Sequence, residues 1–218
     1  MKTKQAGFTL VEIAIVLVII GLLLGGILKG QEMITQAKIK NVVNDFNGIT
    51  AAVNSYQDRY RAMPGDDLNA SGRWSGAVSG GGNGQLTGLY NAAPKATYTA
   101  TDESNLFWWH LRLAGFVGGS TTGQAAGQQP SNAANGIMGV ETGVSATSGL
   151  GFTSAIICSS NLPDKIAIAV DTQMDDGASN TGQVRGQLQT APNPNTAATG
   201  ATSYGETGTN QYLLCKNM

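Results

Sequence analysis

Charge is scarce in this chain. Lys and Arg number 13 and Asp and Glu 14 among 218 residues, 12% of the total, with a formal net charge of −1. An ordinary soluble domain carries about twice that fraction. A nucleic-acid partner is not expected, because its binder would show a basic excess. A charge-swollen disordered chain is excluded as well, since 41% of the residues are hydrophobic and the net charge is near zero. Histidine occurs once, at His110, and cysteine twice. One His and two Cys cannot close a four-ligand zinc site. A single His also leaves little room for His-based acid–base catalysis. There is no nucleophile elbow and no phosphate loop, so the chain does not read as an enzyme. Gly, Ser, Thr, Asn and Ala are plentiful instead, with 30 Gly alone.

The apolar residues are concentrated at one end. Phe8 to Leu28 is a run of 21 residues whose only charge is Glu12. As a helix it spans roughly 31 Å, the thickness of a bilayer's hydrocarbon core. Lys2 and Lys4 precede it without any acid. They are expected to hold the N-terminus in the cytoplasm while the long remainder is translocated. A secretory signal peptide fits less well. Its apolar core is shorter, about 7–15 residues, and a small-residue cleavage site follows it. Here the run is followed by Lys29-Gly30-Gln31-Glu32-Met33. A carboxylate inside an apolar helix is costly and usually functional, although Glu12 is shallow enough to snorkel and sits near a helix N-terminus, where the dipole favours it.

The residues around Glu12 are more specific than its position. Lys4-Gln5-Ala6-Gly7-Phe8-Thr9-Leu10-Val11-Glu12, with the apolar run behind it, resembles the prepilin leader of the type IV pilin and type II secretion pseudopilin superfamily. The close likeness covers about residues 2–36. The resemblance implies leader cleavage after Gly7 by a prepilin peptidase and N-methylation of the new terminus at Phe8. It implies self-assembly with other pilins or pseudopilins through the N-terminal helix. It also implies an inner-membrane assembly platform as a partner. Localisation would be the inner membrane for the single-pass precursor, then a periplasmic or extracellular filament. Within a filament core the Phe8 amine would be a buried cation, and Glu12 of a neighbouring copy would neutralise it. Pilins with a curved helix often carry Pro where this chain has Lys29. Gly25, Gly26 and Gly30 are the weak points here.

From Ile39 onward the apolar positions are Ile39, Val42, Phe46, Ile49, Val53, Tyr56 and Tyr60. Their alternating steps of three and four make an apolar seam on one helix face. Met63-Pro64-Gly65 ends the pattern, because Pro disfavours helix at the residue before it. The seam suits either a coiled-coil partner or, more commonly, the chain's own sheet. The resemblance implies an α+β fold, the pilin plan: a long N-terminal helix, membrane-spanning and then amphipathic, packed on a small antiparallel β-sheet domain with long loops. The expected division is 1–7 leader, 8–28 transmembrane and assembly helix, 29–62 amphipathic half, and 63–218 globular domain.

The globular part is mildly acidic. Residues 65–218 hold 6 Lys and Arg against 10 Asp and Glu. Segments 70–100 and 117–150 are rich in Gly, Ser, Thr, Ala and Asn and read as long surface loops with short strands that are hard to place. Two helices are predicted, one from Glu103 to Ala114, capped by Asp102 and stopped by Gly115, and one from Pro163 to about Asp175. In the first, Leu106, Trp109 and Leu113 share a face, and His110 is expected to be packed or exposed and not catalytic. In the second, Ile166, Ile168 and Val170 also alternate as a strand would. Strands are expected over Thr153–Cys158, Gln211–Cys215 and Gly182–Leu188.

Cys158 and Cys215 lie in the translocated part, where the compartment is oxidising, so a disulfide is expected. Free buried thiols are the alternative. The phrases Met63-Pro64-Gly65-Asp66-Asp67 and Met174-Asp175-Asp176-Gly177 look like those of one pilin-like subgroup. Asp175 and Asp176 at a helix C-terminus oppose its dipole. Either a local basic partner such as Arg185 compensates, or Asp171, Asp175 and Asp176 hold a calcium ion. No other cofactor is expected. Three functions remain open: a pilus-like filament subunit, a secretion pseudopilin, and a membrane-tethered binding module that keeps its leader.

Overall fold

The computed structural model describes residues 9–143, 148–190 and 196–218. Gly7 and Phe8, the expected cleavage and methylation positions, lie outside the described residues. The chain forms two compact units, Met1–Ala37 and Lys38–Met218. In the first, helix α1 begins. It runs from Leu10 to Tyr60, and its apolar side chains up to Ile34 are exposed, Leu22 by 73% and Leu28 by 66%. The helix continues through Lys29 and Gly30 without interruption.

In the second unit the apolar seam of α1 is buried: Ile39, Val42, Phe46, Ile49, Val53 and Tyr56, joined by Ala52. It packs in one cluster with the sheet residues Met138, Val140, Ile157, Val184 and Leu214. The seam is therefore satisfied by the chain's own sheet. Helix α2 is a single turn, Ala70–Arg73. Helices α3, Glu103–Leu113, and α4, Asp164–Met174, contribute Phe107, Trp108 and Leu111, and Ile166 and Val170, to the same cluster.

Four strands make one antiparallel sheet: β1 Met138–Thr142, β2 Ala155–Pro163, β3 Val184–Gln189 and β4 Gln211–Asn217, in the order β1-β2-β4-β3. Successive side chains on a strand point to opposite faces. Ile157, Tyr212 and Leu214 thus meet the helices, while Ile156, Cys158, Leu213 and Cys215 enter a second, smaller core with Tyr90, Leu150, Phe152 and Ala198. The loops supply that second cover. Both faces of the central strands β2 and β4 are buried, and the chain is α+β on the pilin-like plan.

Several local expectations change. Strand β1 gives a position to a short strand within the loop-rich segment 117–150. Asp102 precedes α3 but makes no side-chain cap to it. Its carboxylate turns back to accept the Thr99 N–H at 2.8 Å and the Thr99 hydroxyl at 2.9 Å, and pairs with Lys95. Helix α3 is buried on more than one face: Leu106, Phe107, Trp108, His110 and Leu111 are inside, whereas Trp109 and Leu113 are only half-buried. Pro163 stands before α4 as its cap residue and also ends β2. Helix, not strand, holds Ile166 to Val170.

Candidate functional site

Thr9 and Glu12 form the first structural feature of α1. Glu12 Oε2 accepts the Thr9 N–H at 2.8 Å and the Thr9 hydroxyl at 2.8 Å, and the Glu12 N–H donates to Thr9 Oγ1 at 3.3 Å. This is a capping box, in which two orphan donors of a helix start are satisfied reciprocally. The pattern Thr-x-x-Glu before an apolar run is the local sequence signature of this box. Glu12 therefore fixes where the apolar helix begins. A carboxylate has about four acceptor positions, so Glu12 retains capacity for a further donor. Behind it, α1 is the helix among the described residues that is long and apolar enough to cross a membrane.

The Met63–Asp67 phrase is a docking node inside the second unit. Asp67 accepts the Tyr56 hydroxyl at 2.6 Å and the Asn69 N–H at 2.9 Å, and pairs with Arg73. Asp66 accepts the N–H groups of Asn83, 3.0 Å, and Gly84, 2.7 Å. Glu103 accepts those of Gly81 and Thr87, each at 2.7 Å. Buried carboxylates are costly unless hydrogen-bonded, and here backbone donors of the Gly-rich segment supply the bonds. His110 joins the same node. Its Nδ1 accepts the Gly65 N–H at 3.0 Å, and its Nε2 lies 2.8 Å from the Val78 carbonyl, to which it donates. Burial pushes its pKa down to about 4, so the neutral ring is a structural strut with both nitrogens used.

Cys158 on β2 and Cys215 on β4 stand directly opposite each other and are joined by a disulfide. Both are fully buried in the second core. Asp171, Asp175 and Asp176 each place a carboxylate oxygen within 4.8 Å of the others. They have the donor chemistry of a hard-cation site, yet the chain itself already uses these oxygens. Asp171 accepts the Tyr204 hydroxyl at 2.5 Å. Asp175 accepts the N–H groups of Gln183 and Val184. Asp176 accepts the Thr181 hydroxyl at 2.6 Å and the Ala178 N–H at 2.8 Å. Burial, reinforced by the two neighbouring acids, raises the Asp171 carboxyl, although its bond to Tyr204 opposes this. Arg185 is not their partner. It lies over the Phe152 ring at 4.2 Å and donates to the Leu150 carbonyl.

Residues 2–28 match the family described as the prokaryotic N-terminal methylation motif. No curated protein and no solved structure matches the chain. The matched segment ends where the run from Phe8 to Leu28 ends. It is the signature of type IV pilin and pseudopilin precursors, which points to a structural subunit and fits a membrane-anchored precursor.

Proposed function

We propose that this chain is a structural subunit of a type IV pilus-like filament. Prepilin peptidase cleaves it after Gly7 and methylates Phe8, and the mature chain assembles through α1. The observation that carries this reading is the exposed apolar start of α1 with Glu12 as its lone charge, inside the methylation-motif match. So large an apolar surface is stable only in lipid or against other apolar helices. Moving from the membrane into a filament exchanges one apolar surrounding for the other. In that core the methylated amine of Phe8 needs a counter-charge, since an unpaired buried charge costs several kcal/mol. Glu12 of a neighbouring copy supplies it. The partners are other pilins or pseudopilins, the peptidase and an inner-membrane platform. Residues 63–218 form the part outside the membrane.

The test is the intact mass of the chain in filaments sheared from cells and in the remaining envelope. The expected species starts at Phe8, carries one added methyl, lacks two hydrogens for the disulfide, and is abundant in the sheared fraction. A mature species confined to the envelope would replace the pilus reading with a secretion pseudopilin. A chain that keeps its leader in both fractions would leave a membrane-tethered binding module. Glu12→Ala is expected to be cleaved normally and to yield few filaments. Normal filament yield from it would remove Glu12 from assembly.

A further inference from the structure

Within the second unit, one flank of α1 borders a cleft of about 280 Å³. Ile49, Trp108, Phe116, Val117 and Met138 wall it, and Asp45 stands among them. One charged group of this cleft has no partner among the described residues. The Asp45 carboxylate makes no ion pair or hydrogen bond among the described residues and is half-buried. Trp108 is fully buried and backs the cleft with its apolar ring. A partly desolvated carboxylate without a counter-charge is unfavourable. Burial alone raises the Asp45 carboxyl from its ordinary value. A cation carried on a partly apolar surface would satisfy the cleft.

We infer that the cleft receives a second copy of this chain, with Lys40 of the neighbouring copy against Asp45. The inference rests on the filament reading and names the contact outside the membrane. Lys40 is exposed and makes no ion pair among the described residues. It lies five residues before Asp45 on the same helix, about 7.5 Å along the axis and about 140° around it. Copies drawn from one membrane point the same way. When they are also staggered, each contact must join two different patches, and such contacts propagate into open helical filaments. Asp45 with its cleft is one patch, and the Lys40 flank is the other. An axial stagger of about 7.5 Å brings them level.

The test uses two distinguishable tagged copies of the full chain, one with Lys40→Cys and one with Asp45→Cys, expressed together and oxidised mildly. The expected product is a mixed dimer linked between the two copies, abundant in the sheared filaments and absent when either new cysteine is omitted. Separately, Asp45→Lys is expected to lower filament yield at least tenfold, and Lys40→Asp in the same chain to restore most of it. Both positions are accessible enough that the Cys158–Cys215 disulfide and the thermal unfolding of the variants should match the parent chain. Filaments that form without the mixed dimer, with full yield from Asp45→Ala, overturn this inference and leave the filament reading standing. A mixed dimer in the envelope of cells that make no filaments keeps the contact and overturns the filament reading. A small amine that co-purifies with the chain and is lost in Asp45→Ala shows a different occupant and overturns the inference.

Discussion

Glu141 sits on β1, buried, with its carboxylate accepting the Tyr90 N–H at 2.8 Å. Burial outweighs that bond and pushes its pKa from 4.5 up to about 7. Because the folded value lies above the unfolded one, protonation favours folding. The contribution is complete below about pH 4.5 and is lost as pH rises through about 7. Glu141→Gln keeps a carbonyl oxygen for Tyr90 and removes the charge. The variant is expected to be more stable than the parent at pH 8, by up to about 3 kcal/mol at 1.36 kcal/mol per pKa unit. The two should be equal near pH 4.5. Urea unfolding of both chains across that range measures the difference, and a gap independent of pH would contradict the assignment. His110 acts in the opposite sense. Its depressed pKa favours the folded chain above the unfolded value of 6.5 and withdraws that support as pH falls toward 4. Neither role could be read from sequence, since a carboxyl or an imidazole titrates according to what surrounds it.

At the scale of elements, the seam of α1 was fully legible, because helical periodicity is a local property and the helix did bury the face it displayed. The position of strand β1 was not legible. Its sequence, Met138-Gly139-Val140-Glu141-Thr142, has a glycine and an acid on the face that enters the second core. A Cβ at Gly139 would stand 2.0 Å from the Tyr90 carbonyl oxygen, so the glycine marks where a loop crosses the strand. Gly65 has a similar reason to be glycine. Its φ is +89°, and a Cβ there would lie 2.5 Å from the Glu103 carbonyl oxygen. Gly65→Ala therefore meets both backbone strain and a backbone clash and is expected to cost at least about 2 kcal/mol. It should shift the urea midpoint and loosen the loop that Asp66 and Glu103 hold, measured by faster hydrogen exchange at Gly81, Asn83 and Gly84. An unchanged midpoint would mean that the loop can move away cheaply.

At the scale of the whole molecule, the Cys158–Cys215 bond closes 57 residues that contain α4 and β3. In the chain-entropy account a loop of that length contributes about 4 kcal/mol. Replacing both cysteines with Ala is expected to lower stability by roughly that amount, diminished by any structure kept in the unfolded chain, as measured by urea unfolding at constant pH. No loss at all would mean that sheet packing alone holds β2 to β4.

The composition, the N-terminal run and the seam of α1 were local facts, and they specified an apolar anchor and an amphipathic continuation, while the α+β plan was what the pilin resemblance implied. Thr9 and Glu12 belonged to the same kind, since a capping box spans only four residues. Tertiary structure alone decided the pairing order β1-β2-β4-β3, the second core beneath the loops, and the partners of the acids. Those features join residues far apart in the chain. Asp66 reaches Asn83, and Tyr90 reaches Glu141. A buried acid is made acceptable by whichever backbone N–H groups the fold brings to it, and no spacing rule along the chain encodes that meeting.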